Sequence, residues 1–177
     1  MSKYKIIDNC LPEQDFLELV SHIIPQTQFV DTIAWNMAPS VTQEQKLDSN
    51  NNDFYFMSMA YTNDTPVGPL WEFIVPCLNV LAPLMNIRSV MRVKGNWFPP
   101  TSVAYDHIPH KDYAEEFGEI KGAILSLNTC DGWTRLEDRT KVDSVANRLL
   151  LFNSSELHNS STTTNPKGRF NINFNYL

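Results

Sequence analysis

The sequence predicts an α+β fold in which helices come first and a β core follows. Apolar residues near the N-terminus recur at three- and four-residue steps, which is typical of an amphipathic helix. Residues 68–86 are apolar enough to form a buried helix. Beyond residue 86 the chain breaks into short β-rich runs, the pattern of a sandwich or jelly-roll barrel. With 177 residues, 42% of them hydrophobic, we expect one domain, 1–177, with helical support over about 1–86 and the β core over about 87–177.

The first part of the chain predicts a short strand, Tyr4–Ile7, and then a helix. Pro12 lies where a helix begins well, because its fixed φ suits the first turn and its missing N–H is not needed there. The apolar positions at helical spacing are Phe16, Leu17, Val20, Ile23 and Ile24. Pro25 ends this helix. Residues 38–53 are polar and predict a long loop, either a mobile lid or a disordered insertion.

The middle of the chain predicts one strand and one long helix. Residues 54–61 alternate loosely between apolar and polar side chains, as a strand does. The apolar run at 68–86 predicts a helix that supports the back of a sheet. Pro76 and Pro83 are expected to kink this helix or split it in two.

Short strands dominate the predicted β core. They are expected at Ser89–Lys94, Gly122–Leu127, Arg148–Phe152 and Arg169–Tyr176. Turn-rich clusters separate them at Pro99-Pro100, Asp131-Gly132 and Asn165-Pro166-Lys167-Gly168. Strands at this spacing with few helical intervals favour a sandwich or jelly-roll barrel.

Charge and composition exclude several classes of function. The net charge of −6 argues against a surface that follows nucleic-acid phosphates, since such binding depends on clustered Lys and Arg. No run of 18 apolar residues is present, so no membrane span is expected. The N-terminal residues do not have the pattern of a signal peptide. Three widely spaced cysteines indicate a reducing compartment, and we expect a cytoplasmic protein.

A candidate metal site lies in the segment DHIPHKDY, residues 106–113. In an extended segment side chains alternate, so His110 and Asp112 share a face while His107 points to the other. An imidazole and a carboxylate on one face are two arms of a facial metal triad. His158, which follows an apolar strand, is the candidate third arm. Two imidazoles and one carboxylate suit Fe(II) and leave three adjacent coordination positions open.

A candidate anion site lies on the last predicted strand. Arg169 follows His158 by eleven residues, and Asn171 shares its face by the same period of two. An Arg that points into a barrel is an uncompensated buried charge unless an anion meets it. Arg169 and Asn171 could therefore hold a dicarboxylate. The alternative is that Arg169 is a surface residue on an edge strand.

At this point the sequence resembles a known family. The order His110, Asp112, His158 and Arg169 is similar to that of the non-haem Fe(II)/2-oxoglutarate-dependent dioxygenases, whose core is a double-stranded β-helix. The segments AILSLNTCDGWTRLED and NRLLLFNSSELHNS resemble strands of the prolyl-4-hydroxylase-like branch, including small members from phages and marine bacteria. The resemblance covers about 91–176, roughly half of the chain.

The resemblance implies a set of roles. His110, Asp112 and His158 would hold Fe(II), and Arg169 would pair with the distal carboxylate of 2-oxoglutarate. O2 would complete the reaction, giving succinate, CO2 and a hydroxylated substrate. The localisation implied is the cytoplasm, or the host cytoplasm for a phage-encoded member.

Two further positions, Asn96 and Tyr105, lie about where the family often supplies hydrogen bonds to 2-oxoglutarate. The chain departs from the family pattern at Asn171, where many members have Ser or Thr. There it resembles the closing strand of AlkB-type nucleic-acid demethylases. Those enzymes carry a second Arg where this chain has Asn175, which weighs against a repair enzyme.

Three alternatives to an oxygenase remain open at the level of sequence. A cupin-like module would bind a metal and an anion without turnover. An AlkB-like demethylase would bind single-stranded nucleic acid in a salt-dependent way. A structural jelly roll would bind no metal. The sequence names no substrate: a small molecule or a protein or peptide side chain fits it equally, while nucleic acid is disfavoured and no membrane partner is expected.

Overall fold

The protein was analysed as a computed structural model that describes residues 4–25, 33–40, 54–113 and 119–177. The described residues form two helices and eleven strands. In chain order they are β1 (Lys5–Ile7), α1 (Glu13–Ile23), β2 (Asn36–Ala38), β3 (Tyr55–Thr62), β4 (Thr65–Pro66), α2 (Leu70–Met85), β5 (Val90–Phe98), β6 (Lys121–Ser126), β7 (Trp133–Leu136), β8 (Lys141–Asp143), β9 (Arg148–Asn153), β10 (His158–Ser160) and β11 (Arg169–Tyr176).

The strands form two antiparallel sheets. The main sheet has the order β1-β9-β6-β11-β5-β3-β2, with β4 paired to β3, and the small sheet has the order β10-β7-β8. This is the α+β arrangement with a jelly-roll core that the sequence predicts. No helix of the described segments is long and apolar enough to cross a membrane.

The predicted division into a helical first part and a β second part needs correction. Strands β1, β2 and β3 come from the first 86 residues, and all three belong to the main sheet. Strand β3 pairs along β5, which extends the sheet beyond the strands expected after residue 86. The predicted strands at residues 4–7 and 54–61 are therefore core elements. The possible lid at 38–53 lies almost wholly outside the described residues.

Helix α2 runs through both of its prolines without being split. Pro76 and Pro83 lie inside the one helix, which ends at Asn86 in a left-handed conformation. Because its buried side chains recur on one stripe, the helix packs against the outer face of the main sheet. The buried residues of that stripe are Leu70, Ile74, Cys77, Leu81 and Met85.

One apolar core joins both helices to the outer face of the main sheet. Helix α1 contributes Phe16, Leu19 and Ile23, and β11 contributes Phe170 and Phe174. The inner face of the main sheet is polar along β5 and β11 and faces the small sheet. The candidate site lies between the two sheets.

Candidate metal centre and cleft

The segment that carries His110 and Asp112 is held against the segment of residues 154–161. His110 exchanges two backbone hydrogen bonds with His158, of 2.9 and 3.0 Å, and the Asp112 amide donates to the Ser154 carbonyl at 3.0 Å. Only isolated bridges form here, so the segment is not the regular strand that the period-two argument assumed. The pairing with His158 nevertheless keeps it extended enough for the two side chains to converge.

His110, Asp112 and His158 come together as predicted, with one ligand atom of each within 4.8 Å of the others. The His110 Nε2 atom lies 3.9 Å from Asp112 Oδ1, and the His158 Nε2 atom lies 3.8 Å from Asp112 Oδ2. Two imidazoles and a carboxylate at these separations match the ligand set that Fe(II) prefers.

The other ring nitrogens of the two histidines fix the form that binds metal. His110 Nδ1 lies 3.3 Å from the Ile108 carbonyl and His158 Nδ1 lies 3.0 Å from the Glu156 carbonyl. A carbonyl only accepts, so each Nδ1 donates a proton to it, and Nε2 is the nitrogen of each ring that is available to a cation. Burial, together with the neighbouring His158, lowers the pKa of His110 to about 4, so this imidazole is neutral at neutral pH.

Asp112 is a buried carboxylate with donors on both oxygens. Arg92 Nη2 lies 2.8 Å from Oδ1, and the Asn175 amide donates to Oδ2 at 2.9 Å, with Asn173 at 3.3 Å. Arg92 also donates through Nε to Asn175, which closes a ring of hydrogen bonds. Burial alone would raise the pKa of Asp112, but the charge of Arg92 and the hydrogen bond from Asn175 hold that pKa well below its usual range. The carboxylate is thus ionised and fixed in orientation.

An open cleft lies beside this triad, between the two sheets, with about 40 Å³ of room inside it and about 420 Å³ when the solvent space at its mouth is included. Residues from both sheets line it: Tyr55, Lys94, Asn96, Phe98, His110, Ile124, Thr134, His158, Ser160, Arg169, Asn171 and Asn173. The triad histidines and Arg169 therefore share one cleft, as the sequence predicts.

Arg169 lies deep in this cleft and is 1% exposed. Strand β11 lies between β5 and β6, so the alternative of a surface residue on an edge strand is wrong. Its guanidinium donates to the Thr134 hydroxyl at 2.8 Å and the Ser161 carbonyl at 3.4 Å, while its Nε has no partner among the described residues. Burial lowers the pKa of Arg169 to about 10, so it stays charged at neutral pH. A buried cation with an unused donor fits an anionic ligand.

Asn96 and Asn171 lie side by side on neighbouring strands and both line the cleft. The Asn96 amide nitrogen donates to Asn171 Oδ1 at 2.9 Å, and Asn96 Oδ1 has no partner within the described part of the chain. Tyr105 behaves differently: its backbone pairs with Thr162, and it is not among the residues that line the cleft. The structure thus brings Asn96 and Asn171 to the site and does not bring Tyr105.

Sequence reasoning missed several residues of the site. Arg92 and Lys94 alternate with Asn96 on β5, and Tyr55 reaches the cleft from β3. The alternation of polar residues in the run Arg92 to Phe98 was a signal, because it matches the period of a strand with one polar buried face. The contact of Arg92 with Asp112 had no such signal.

No protein-family model matches the chain, and no curated protein matches it. Several solved structures do match the chain. A prolyl hydroxylase from Trichoplax adhaerens, in complex with a hypoxia-inducible-factor peptide, matches with a TM-score of 0.66 at 17% identity, over 99% of this chain and 83% of that one. The viral collagen prolyl hydroxylase of Paramecium bursaria chlorella virus-1, with 2-oxoglutarate, has a TM-score of 0.60 at 12% identity, over 99% and 96%.

A third match is HygX from Streptomyces hygroscopicus, solved with nickel and 2-oxoglutarate, with a TM-score of 0.59 at 12% identity, over 99% of this chain and 82% of that one. At these identities the likeness concerns the fold. The chain therefore has the double-stranded β-helix fold of the 2-oxoglutarate oxygenases, and the fold expected from the resemblance is confirmed.

Proposed function

We propose that the protein is an Fe(II)- and 2-oxoglutarate-dependent dioxygenase that hydroxylates a C–H bond of its substrate. The observation that carries the proposal is the convergence of His110, Asp112 and His158, with both histidines lining the same cleft as the buried Arg169. A metal triad alone fits many proteins, but a buried cation in the same cleft also fits a chelating dicarboxylate. The fold shared with 2-oxoglutarate oxygenases supports the same assignment.

In this proposal the triad residues hold Fe(II) through His110 Nε2, His158 Nε2 and an Asp112 oxygen. Arg169 pairs with the distal carboxylate of 2-oxoglutarate, and Asn96 and Asn171 supply polar contacts between the two ends. Fe(II), 2-oxoglutarate and O2 together supply the oxidation: one oxygen atom enters succinate as CO2 leaves, and the other enters the substrate as a hydroxyl. The chain itself orients these groups and keeps His110 neutral.

The substrate and setting also belong to the proposal. A small molecule or a protein or peptide side chain fits the cleft, and one structural relative is bound to a peptide. The net charge of −6 disfavours nucleic acid, and no observation favours the AlkB-like alternative. We place the activity in the cytoplasm.

The test is an anaerobic titration with Fe(II) and 2-oxoglutarate, followed by the weak visible charge-transfer band that bidentate 2-oxoglutarate gives on iron. We expect the band in the natural protein and its loss in Asp112→Ala and His110→Ala, with metal affinity reduced at least about 1000-fold in Asp112→Ala. Lys141→Ala, on the exposed strand β8, is the matched control and should keep the band.

Admission of air then separates the alternatives. An oxygenase forms succinate from 2-oxoglutarate even without substrate, whereas a cupin-like binding module gives the band but no succinate. A structural jelly roll gives neither band nor bound metal. Absence of the band at saturating Fe(II) and 2-oxoglutarate would overturn the proposal.

A further inference from the structure

The cleft contains a second cation, Lys94, that the proposed reaction does not use. Lys94 lies on β5, half-buried, and lines the cleft next to Tyr55. Its ammonium nitrogen lies 3.4 Å from the Tyr55 hydroxyl and 5.5 Å from the centre of the Tyr55 ring. Within the described ranges, no carboxylate forms an ion pair with Lys94, and no Asp or Glu is among the residues that line the cleft.

Phe98 separates this cation from Arg169. In the register of the main sheet Arg169 lies opposite Phe98, and Phe98 lies next to Tyr55 on its other side. The Tyr55 ring stacks on the Phe98 ring at 5.5 Å, and the Arg169 guanidinium lies 5.4 Å from the centre of the same ring. Two strand spacings, roughly 9.6 Å, therefore lie between the backbones of Arg169 and Tyr55. The Arg169 guanidinium and the Lys94 ammonium contact different rings, those of Phe98 and Tyr55.

Lys94 is also near the metal end of the cleft. Its register partner on β11 is Asn173, whose amide lies 3.3 Å from Asp112 Oδ2. The next pair on the same face of these two strands is Arg92 and Asn175, which both contact Asp112. A group bound at Lys94 would therefore lie close to the reacting centre.

The charges of the loaded site do not balance without a further anion. Fe(II) with Arg92, Lys94 and Arg169 brings five positive charges, and Asp112 with 2-oxoglutarate brings three negative ones. Two positive charges then stay uncompensated around the triad and the cleft, which is costly where these groups are buried. An anionic group on the substrate would reduce this excess.

We propose that Lys94 and Tyr55 bind a carboxylate group of the substrate, which makes the substrate a small carboxylic acid. This inference rests on the proposed oxygenase function. Lys94 donates one hydrogen to the Tyr55 oxygen, which leaves the Tyr55 hydroxyl hydrogen and the other ammonium hydrogens for a ligand. Two donors side by side match the two oxygens of a carboxylate. The carbon to be oxidised then lies between this carboxylate and the metal.

The experiment uses matched acids and amides as probes. N-acetylglycine, N-acetyl-L-alanine, N-acetyl-L-proline and N-acetyl-L-leucine are each added, as free acid and as amide, to the anaerobic complex of the protein with Fe(II) and 2-oxoglutarate. Binding is read from the change in the visible band. We expect at least one acid to bind at least about tenfold more tightly than its amide.

Variants then assign this preference to the two residues. Lys94→Gln should abolish the acid preference, and Tyr55→Phe should reduce it about three- to tenfold, while the Kd for 2-oxoglutarate changes less than about twofold in both. Lys94→Arg should keep the preference, which shows that the site folds when its charge is kept. Lys5→Gln, at an exposed position of β1, is the matched control and should behave as the natural protein.

Two outcomes would overturn the inference while leaving the proposed function intact. One is a tenfold rise in the Kd for 2-oxoglutarate in Lys94→Gln, which would assign Lys94 to the cosubstrate. The other is an absence of acid preference in every pair with the natural protein. Absence of the visible band in the natural protein is a different result, which removes the proposed function and this inference with it.

Discussion

Strand β11 buries all eight of its residues, yet its two faces have different surroundings. Its outer face presents Phe170, Ile172, Phe174 and Tyr176 to the helices, within one apolar cluster. Its inner face presents Arg169, Asn171 and Asn173 to the cleft and Asn175 to Asp112. On this inner face Arg169 Nε and Asn173 Oδ1 have no partner in the described structure.

The difference shows how one strand divides stability and function between its faces. Each large apolar side chain buried on the outer face stabilises the fold by about 1.5–3 kcal/mol. Each unpartnered polar group on the inner face costs about 1–3 kcal/mol. A fold selected only for stability would make both faces apolar, so the polar inner face is the pattern expected of a ligand-binding surface.

The largest effect on stability is expected from a substitution on the outer face of β11. Phe174→Ala removes a ring that is 1% exposed and should lower the free energy of unfolding by about 3–5 kcal/mol, because a cavity remains in the core. Urea unfolding followed by circular dichroism measures this. Leu17→Ala, at a half-exposed position of α1, is the control and should cost less than about 1 kcal/mol. A cost below 1 kcal/mol for Phe174→Ala would contradict the packing described.

On the inner face we expect a substitution to weaken ligand binding without lowering the free energy of unfolding. Arg169→Met should raise the Kd for 2-oxoglutarate about 100-fold, because the distal carboxylate loses its charged partner. The free energy of unfolding should stay unchanged or rise by about 1 kcal/mol, since a buried cation without an acidic partner is replaced by an apolar chain of similar length. A titration with 2-oxoglutarate measures the Kd, and urea unfolding measures the free energy of unfolding. Marked destabilisation would mean that Arg169 is mainly a structural residue.

Replacement of Arg92 tests whether the inner face of the main sheet also orients Asp112 for metal binding. Arg92→Met should weaken metal binding about 10- to 100-fold, because Asp112 loses the donor that orients it and keeps it ionised. Competition with a chromophoric chelator measures the affinity. Arg135→Met, which breaks an ion pair of 3.0 Å with Asp106 outside the triad, is the control and should have no effect. Tighter metal binding in Arg92→Met would show that its charge opposes the cation more than it orients the ligand.

The smallest effect on stability is expected at an ion pair that lies on neither face of β11. Arg148 bonds Asp8 at 2.6 Å, and this hydrogen bond holds the pKa of Asp8 below its usual range. The stabilisation is therefore present above the unfolded pKa of about 3.9 and is lost as pH falls through the lower folded pKa. Because Asp8 is half-exposed, Asp8→Asn should cost less than about 1 kcal/mol at pH 7, and this cost should shrink as pH falls below about 3.9. A cost that does not change with pH would show that the charge is not its source.

The residues of the candidate site differ in how far the sequence could predict them. His110, Asp112, His158 and Arg169 were found because alternation and order along the chain are local signals. Alternation also predicted that Asn171 shares the face of Arg169. These predictions needed no knowledge of which strands become neighbours.

The residues that were missed depend on strand pairing. Arg92 meets Asp112 only because β5 lies beside β11, and Lys94 meets Tyr55 only because β3 lies beside β5. Tyr105 was expected at the cleft, but its backbone pairs with Thr162 and the side chain does not line the cleft. The helical first part was also overstated, because isolated strands such as β2 reveal their place only through their partners.

The position of β11 has a consequence for the order of folding. Its neighbours β5 and β6 do not pair with each other, so the main sheet consists of two half-sheets, β1-β9-β6 and β5-β3-β2, until β11 inserts between them. Contacts so distant in sequence form slowly, because the loop entropy is lost before the contacts are gained. We expect Ile172→Val, in the middle of β11, to slow refolding in stopped-flow measurements more than it speeds unfolding. The strand that bears Arg169 is then also the one whose docking completes the barrel.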